Sequence, residues 1–200
     1  MNSSLCIALE STPEQTERLK ALQVAFAEVC NALSPLVQQH HCWNRVTLHH
    51  LAYKSLREQF PAIGSQMICN AIYSVSRTGR VVFQHPQSPF HHSRLKGKLP
   101  LIRFSDNSPV YFDRHTLSLK AGVLSLYTLD GRMRFKLAMS GGDEAAFHGK
   151  KLREVVLSRR TDGKFQLMFW FNETQADDAP APALRQQGEI PGYVKVEAAA

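Results

Sequence analysis

The sequence contains only four cysteines, and their spacing does not build a disulfide framework or a zinc ribbon. Cys6, Cys30, Cys42 and Cys69 lie far apart at irregular intervals, and no two of them form a C-x-x-C pair. Disulfide-rich small domains and structural zinc sites both need regular, closely spaced cysteines. We therefore expect reduced thiols, which are typical of a cytoplasmic protein.

Long apolar runs are missing as well. No segment stays apolar over the length that a membrane-spanning helix requires. The first ten residues contain no lysine or arginine and only one short apolar patch, Leu5–Leu9, so they do not resemble a signal peptide. We expect neither export nor contact with a membrane.

The sequence also lacks the motifs of common catalytic centres. It has no G-x-S-x-G segment, which a serine hydrolase of that type would require. Nine histidines are present, but the pairs His40-His41, His49-His50 and His91-His92 are adjacent, so the two rings of each pair diverge in a helix or strand. A zinc site built around His41 and Cys42, with a histidine of the second pair, is a weaker alternative. We expect no catalytic residue, no metal and no cofactor.

Positive charge is concentrated in the middle of the chain, where lysine and arginine far outnumber aspartate and glutamate. The net charge is +7. Between Arg80 and Lys164 there are 16 Lys/Arg against 7 Asp/Glu, whereas residues 1–79 have a net charge of +1 and residues 165–200 a net charge of −3. Positive charge concentrated in one segment indicates a surface for a polyanion such as nucleic acid. The alternative is a basic surface that has no partner.

Helical periodicity dominates the first part of the chain. Thr12-Pro13-Glu14-Gln15 combines an N-cap residue, a proline at the first helical position and the glutamine of a capping box. Apolar residues then recur at spacings of three and four and predict one buried stripe: Leu19, Leu22, Phe26, Val29, Leu33 and Leu36. Pro35 should kink or end this helix. Two more helices are predicted, at 46–59 with Leu48, Leu51, Ala52 and Leu56 inward, and at 64–76 with Ile68, Ala71, Ile72 and Val75 inward.

After Gly79 the pattern changes to short strands separated by turns. Asp130-Gly131 and Asp162-Gly163 are typical of hairpin turns. The predicted strands are Val81–Phe83, Leu99–Phe104, Val110–Phe112, Leu117–Leu119, Val123–Thr128, Arg132–Leu137, Leu152–Arg159 and Lys164–Phe171. The sequence therefore predicts an α+β fold, with a three-helix bundle inserted after the first strand of a small antiparallel β-barrel. The predicted parts are a first barrel strand at 1–10, helices at 11–79, the barrel at 80–172 and a flexible acidic tail rich in Ala and Pro at 173–200.

Several motifs follow one another in the order found in one family. A short strand at Leu5–Leu9 precedes the helix start Ser11-Thr12-Pro13-Glu14-Gln15, and Asn31 lies late in the first helix. Leu56-Arg57-Glu58-Gln59-Phe60-Pro61 matches L-R-x-x-F-P, and Arg159–Leu167 contains R-x-x-G-K-F-x-L. With this ordered set the chain resembles the N-terminal half of TnpB, the transposon-encoded RNA-guided nuclease, and of the compact type V CRISPR effectors. The resemblance covers roughly residues 5–172.

The resemblance implies a wedge-like β-barrel that holds a guide RNA scaffold, and a helical recognition domain that grips duplex DNA beside the target together with the barrel. In the family the last barrel strand leads into a RuvC-type nuclease domain that opens with G-x-D-x-G. Here Asp177 and Asp178 have no surrounding apolar strand, so they are not placed like metal-binding carboxylates. We expect no cleavage by this chain alone. The expected partners are structured guide RNA, duplex DNA, and a separate RuvC-type nuclease chain or a second copy of itself.

The candidate contacts to nucleic acid are the basic residues of the middle segment, since phosphates attract lysine and arginine. They are Arg94, Lys96, Lys98, Arg103, Arg114, Lys120, Arg132, Arg134, Lys136, Lys150, Lys151, Arg153, Arg159, Arg160 and Lys164. Arg132, Arg134 and Lys136 alternate with apolar residues, so a strand would place all three on one face. Exposed rings could stack on unpaired bases, and Tyr111 and Trp170 are the candidates.

Polar residues near the starts of the second and third helices are candidates for reading a DNA motif, since their positions match the duplex-contacting helices of the family. They are Asn44, Thr47, His49, His50, Ser65, Gln66 and Asn70. Asn31 and Asn70 could equally be ordinary hydrogen-bonding residues on or between helices. Two other functions stay open: a non-cleaving RNA-guided DNA-binding regulator, and a general basic RNA- or DNA-binding protein or family remnant.

Overall fold

Three helices follow a first short strand in the computed structural model, and further short strands come after them. The structure describes residues 3–137, 139–140, 147, 151–172 and 189–198. The helices are α1 (Pro13–His40), α2 (Arg45–Gln59) and α3 (Ser65–Gly79). The strands are β1 (Ser3–Ala8), β2 (Leu101–Phe104), β3 (Val110–Phe112), β4 (Leu117–Lys120), β5 (Val123–Thr128), β6 (Gly131–Lys136), β7 (Lys151–Arg159), β8 (Phe165–Asn172) and β9 (Val194–Glu197). The α+β class predicted from the sequence is confirmed.

The strands form three antiparallel sheets. One has the order β1-β8-β7-β3, the second β4-β5-β6, and the third pairs β2 with β9. Across the described residues these sheets do not close into a barrel. The structure therefore supports a small α+β fold with several antiparallel sheets, and the small antiparallel β-barrel predicted from the strand pattern stays a prediction.

The chain divides into two compact units. The first unit comprises residues 1–23 and 109–179, and the second comprises residues 24–108 and 180–200. The first unit contains the four-stranded and three-stranded sheets and the beginning of α1. The second unit contains the rest of α1, α2, α3 and the β2–β9 pair.

The core of the first unit is built on the alternation along β8. Phe165, Leu167, Phe169 and Phe171 are all buried, as period two predicts for a strand with one face inward. The ring of Phe147 meets Phe169 and Phe171 edge to face, with centroid distances of 4.9 and 5.1 Å. Burying one such phenylalanine stabilises the fold by roughly 1.5–3 kcal/mol.

Both hairpin turns occur where the sequence predicts them. Thr128 pairs with Gly131, so Leu129 and Asp130 form a two-residue loop between β5 and β6. Gly131 has φ 103 and Gly163 has φ 84, a region that glycine enters without the steric cost of a Cβ atom. These turns fix the registers of the two hairpins.

The start of α1 is also as predicted. Thr12 N–H donates to Gln15 Oε1 at 3.0 Å, and Gln15 N–H donates to Thr12 Oγ1 at 3.2 Å, which completes the capping box. The predicted stripe is buried from Leu19 to Leu33, whereas Leu36 is half-buried.

The sequence predicts that Pro35 kinks or ends α1. Pro35 does not end the helix, which continues to His40. Proline removes one backbone donor from a helix, and the turn beyond it has other contacts. Val37 is buried, and Gln38 Nε2 donates to the Leu99 carbonyl at 2.7 Å. These contacts offset the missing hydrogen bond.

The inward faces of α2 and α3 agree with the periodicity except at one position. Leu51 is 44% exposed, because the buried stripe of α2 runs through Leu48, Ala52 and Leu56 at spacings of four. The predicted strand Val81–Phe83 is wrong. These residues lie in a π-helical turn, Arg80–Gln84, that continues directly from α3. All three are buried, and a short, fully apolar run has no periodicity that separates strand from helix.

Residues near the C-terminus form a strand within the segment expected to be a tail. β9 pairs with β2, from Leu101 opposite Glu197 to Phe104 opposite Val194. The expectation of a tail therefore does not hold for Val194–Glu197. Residues 173–188 of that segment lie outside the described residues.

Asn31 of α1 forms hydrogen bonds with the backbone of Phe104 in β2. Its Nδ2 donates to the Phe104 carbonyl at 2.9 Å, and its Oδ1 accepts from the Phe104 N–H at 2.8 Å. The amide thus takes the place of a neighbouring strand residue. The sequence leaves two roles open for Asn31, either reading DNA or acting as an ordinary hydrogen-bonding residue on or between helices. In the structure its amide forms hydrogen bonds between a helix and a strand.

We expect Asn31→Ala to lower the free energy of unfolding by about 1–3 kcal/mol, because it leaves a partly buried N–H and C=O of Phe104 without partners. Denaturant unfolding followed by circular dichroism measures the change. Asn31→Asp is the matched variant, since it keeps an acceptor for the N–H and loses only the donor. Equal stability of Asn31→Ala and the wild type would contradict the role of this amide.

Candidate nucleic-acid interface

The three-stranded sheet β4-β5-β6 separates apolar from polar side chains by strict alternation. Leu124 and Leu126 of β5 and Met133 and Phe135 of β6 are buried. On β6 the side chains of Arg132, Arg134 and Lys136 alternate with the buried ones and lie on the outer side of the sheet. The prediction that Arg132, Arg134 and Lys136 share one face is confirmed, since all three are exposed.

The register of the sheet completes this face. Tyr127 lies opposite Arg132, Ser125 opposite Arg134, and Val123 opposite Lys136. Lys120 of β4 lies opposite Val123. We call this surface the basic face and define it by Lys120, Ser125, Tyr127, Arg132, Arg134 and Lys136.

The basic face combines regular spacing with an absence of opposing charge. Its charges along β6 recur about every 7 Å, two residues apart in an extended strand. None of the strands β4, β5 and β6 contains an aspartate or glutamate. The potential of these side chains is therefore additive over a stretch of sheet.

Arg132 is held in a defined position on the basic face. Its guanidinium carbon lies 4.3 Å from the ring centroid of Tyr127, a cation–π arrangement. Nη1 donates to Ser125 Oγ at 3.3 Å, and Nη2 donates to the His115 carbonyl at 3.3 Å. These contacts orient the guanidinium, and because it has more N–H donors than they use, the remaining ones can donate to a phosphate.

A cluster around Asp130 connects the β5–β6 hairpin to α1. Arg18 donates from Nε at 3.0 Å and from Nη2 at 2.7 Å to Asp130 Oδ1. The Thr128 hydroxyl donates to the same oxygen at 2.8 Å, and Gln15 Nε2 donates to the Arg134 carbonyl at 3.2 Å. These hydrogen bonds from Arg18 and then Thr128 hold the pKa of Asp130 below its ordinary value. The carboxylate at the tip of the hairpin is thus paired with α1.

Other predicted basic residues of the first unit lie outside the three strands of the basic face. Arg160 pairs with Asp162 at 3.3 Å across the turn between β7 and β8. Arg153 and Arg159 are half-buried on β7. The remaining ones, exposed at other positions of the unit, are Arg114, Lys151 and Lys164. Lys150 lies outside the described residues.

Two of the predicted basic residues of the second unit contact other protein groups, and the other two are exposed lysines. Arg94 donates from Nη1 to the Ser88 carbonyl at 2.9 Å and from Nη2 to the Pro86 carbonyl at 3.0 Å, so its fork holds the loop. Arg103 pairs with Glu197 at 3.2 Å. Lys96 and Lys98 are exposed.

The residues predicted to read a DNA motif are only partly available at the surface. Asn44 caps α2, because its Oδ1 accepts from the backbone of Val46 at 3.0 Å and of Thr47 at 3.1 Å. His49 stacks on Tyr53 with ring centroids 4.6 Å apart. Asn70 is buried and donates to Met67 Sδ at 3.9 Å, so its amide is not presented to a base edge. His50, Thr47 and Ser65 are exposed, and Gln66 is half-buried.

The exposed aromatic ring on the basic face belongs to Tyr127, which is not one of the rings predicted to stack on bases. Tyr111 is buried and Trp170 is half-buried, so Tyr111 is not an exposed platform for a base. Tyr127 is 42% exposed. Its position could have been found from the sequence, because it alternates with Leu124 and Leu126 and therefore lies on the outer side of β5.

Metal ligands and thiols do not form a cluster among the described residues. No group of three or more His, Cys, Asp or Glu side chains there could hold a metal ion. The four cysteines are free. Burial raises the pKa of the Cys30 thiol, which disfavours the reactive thiolate. No described helix has the length and apolar character needed to cross a membrane.

Comparisons with known proteins do not add a family to this geometry. No protein-family model matches the chain, and no curated protein matches it. The candidate site therefore depends on the residues and contacts described above.

We expect the connection between α1 and the hairpin to weaken in acid. A carboxyl whose pKa is lowered in the folded state contributes stability above its unfolded pKa and loses it as the pH falls through the folded value. For Asp130 this window lies below about pH 4. Denaturation midpoints at pH 7 and pH 3 should therefore differ less in Asp130→Asn than in the wild type.

Asp106→Asn is the matched control, because it removes an exposed carboxylate outside the hairpin. Its loss of stability between pH 7 and pH 3 should equal that of the wild type. An unchanged pH dependence in Asp130→Asn would show that the Arg18–Asp130 pair does not stabilise the fold.

Proposed function

We propose that this chain is an RNA-guided nucleic-acid-binding module that holds structured guide RNA on the basic face. The observation that carries the proposal is the placement of Lys120, Arg132, Arg134 and Lys136 on one side of a sheet whose strands contain no acidic residue. Such a surface suits the backbone of a polyanion, because binding releases condensed counterions.

The details of the basic face favour nucleic acid over other polyanions. Tyr127 adds an aromatic ring beside the cations, and a ring next to a charged groove is the arrangement on which unpaired bases stack. Arg132 is already oriented by its contacts to Tyr127, Ser125 and His115. An oriented side chain loses less conformational entropy when it binds a phosphate.

The choice of guide RNA depends on the resemblance to TnpB and the compact type V effectors. That resemblance supports a wedge-like barrel around the RNA scaffold and helices that contact duplex DNA beside the target. It also supports a module without a nuclease centre within residues 1–200, so that cleavage is supplied by a RuvC-containing partner chain. The helix positions on which duplex contact would depend are the exposed residues Thr47, His50 and Ser65.

Neutralising the basic face should weaken RNA binding and reduce its dependence on salt. In the variant with Arg132→Ala, Arg134→Ala and Lys136→Ala, three phosphate contacts are lost. The slope of log K against log salt concentration should fall by roughly 2–3. Filter binding or fluorescence anisotropy with a structured RNA hairpin, at several salt concentrations, measures this slope.

The matched control removes the same charge at cations that have acidic partners. Lys20, Arg103 and Arg160 pair with Glu17, Glu197 and Asp162 respectively, and their triple alanine variant should change the slope much less. Circular dichroism checks that both variants are folded. Equal effects of the two triple variants would show that binding follows net charge and not the basic face.

The identity of the RNA is tested by sequencing what co-purifies with the full chain. We expect one structured RNA species to be enriched with the wild type and depleted with the variant of the basic face. A preparation without RNA, combined with no salt-sensitive binding to a structured RNA, would refute the proposal. A pull-down that recovers a RuvC-containing chain would support the partner, and the absence of one would count against it.

A further inference from the structure

A cavity of about 680 Å³ lies in the second unit, among residues that connect α1 to α2 and residues at the end of α3. Ligand sites for small molecules have volumes of about 300–1,000 Å³. We call it the Trp43 cavity, and its lining includes His41, Trp43, Arg77, Arg80, Gln84 and His85. It shares no residue with the basic face, which belongs to the first unit.

The charge of the Trp43 cavity is one-sided. Two arginines and two histidines line it, and none of its lining residues is an aspartate or glutamate. Arg77 is only 6% exposed, and the field of a cation that is shielded from water is stronger than that of an exposed one. Arg80 is exposed at the C-terminal end of α3, so a ligand can reach its guanidinium from the solvent. This lining favours an anion.

One wall of the cavity is an indole ring held in a fixed position. Trp43 Nε1 donates to Gln84 Oε1 at 3.1 Å, and the ring lies 5.5 Å from that of Phe83 between centroids. The Ser76 hydroxyl donates to the Trp43 carbonyl at 2.7 Å. A Cβ atom at Gly79 would lie 2.6 Å from Trp43 Cβ, so this approach requires glycine. The wall is therefore organised before any ligand binds.

We propose that the Trp43 cavity binds a nucleoside phosphate. The exposed guanidinium of Arg80 suits a phosphate, to which arginine donates in a bidentate manner, and Arg77, whose guanidinium lies 5.6 Å from the ring of Tyr73, adds positive charge to the lining. The indole of Trp43 suits the flat face of a base, because base–aromatic stacking is tolerant of base identity. A metal ion does not fit the same position, because no described group of His, Cys, Asp and Glu side chains could hold one.

The same chemistry has two sources, a free nucleotide and the 5′-phosphorylated end of a strand. The titrations use the full chain carrying Arg132→Ala, Arg134→Ala and Lys136→Ala, so that binding at the basic face does not contribute. Isothermal titration calorimetry compares the four nucleoside 5′-monophosphates with inorganic phosphate and with the unphosphorylated nucleosides. We expect at least one monophosphate to bind at a single site, more tightly than phosphate or its nucleoside.

Arg80→Gln should weaken the affinity for the monophosphate about tenfold or more, as expected for the loss of charge-assisted hydrogen bonds. Lys54→Gln is the matched control. It removes one positive charge from an exposed residue of α2 outside the lining and should leave the affinity unchanged. Thermal unfolding checks that both variants are folded.

A 5′-phosphorylated trinucleotide that binds more tightly than the monophosphate assigns the site to a strand end, and equal or weaker binding assigns it to a free nucleotide. Either result supports the nucleoside phosphate. The proposal is overturned if no monophosphate binds, if inorganic phosphate binds as tightly as the monophosphates, or if Arg80→Gln binds like the wild type. None of these results bears on RNA binding at the basic face.

Discussion

The pair formed by Arg18 and Asp130 connects the β5–β6 hairpin to the first helix, and the geometry of the basic face depends on it. The tip of the hairpin is held by hydrogen bonds of 2.7–3.0 Å from one guanidinium, and the Arg134 carbonyl is held from Gln15. The contacts of α1 with the hairpin at Asp130 and at the Arg134 carbonyl do not involve the outward side chains of β6.

The structure divides the basic residues of the chain by what each one already contacts. Arg94 fixes a loop through two carbonyls, and Arg103 and Arg160 have carboxylate partners. Surface pairs of this kind add little stability, but they lower the local positive potential. Arg134 and Lys136 have neighbours on the sheet that are neutral or cationic. Which cations lack a carboxylate partner among the described residues therefore depends on local pairing and not on the excess of charge along the sequence.

Strict alternation allowed the sequence to predict the part of the fold that carries the site. The bounds of β5 and the outward direction of Arg132, Arg134 and Lys136 follow from period two and a two-residue turn. The π-helical turn at Arg80–Gln84 does not follow, because three consecutive apolar residues have no periodicity. β9 was missed because a four-residue strand is specified by its partner β2, which lies far away in the chain. Asn70 is buried although it is polar, because a polar side chain can be buried where it has hydrogen-bond partners, and the sequence does not show those partners.

The pairing of β1 with β8 has a consequence for synthesis. Cys6 and Gln166 are neighbours across these strands although 160 residues separate them in the chain. A ribosome that adds about 5–20 residues per second needs roughly ten to thirty seconds to make that stretch. The helices α1, α2 and α3 can form in this interval from local contacts, before β8, the strand that pairs with β1, has been synthesised. Late contacts of this kind slow folding, and the first strand of the chain is thus among the last to be placed.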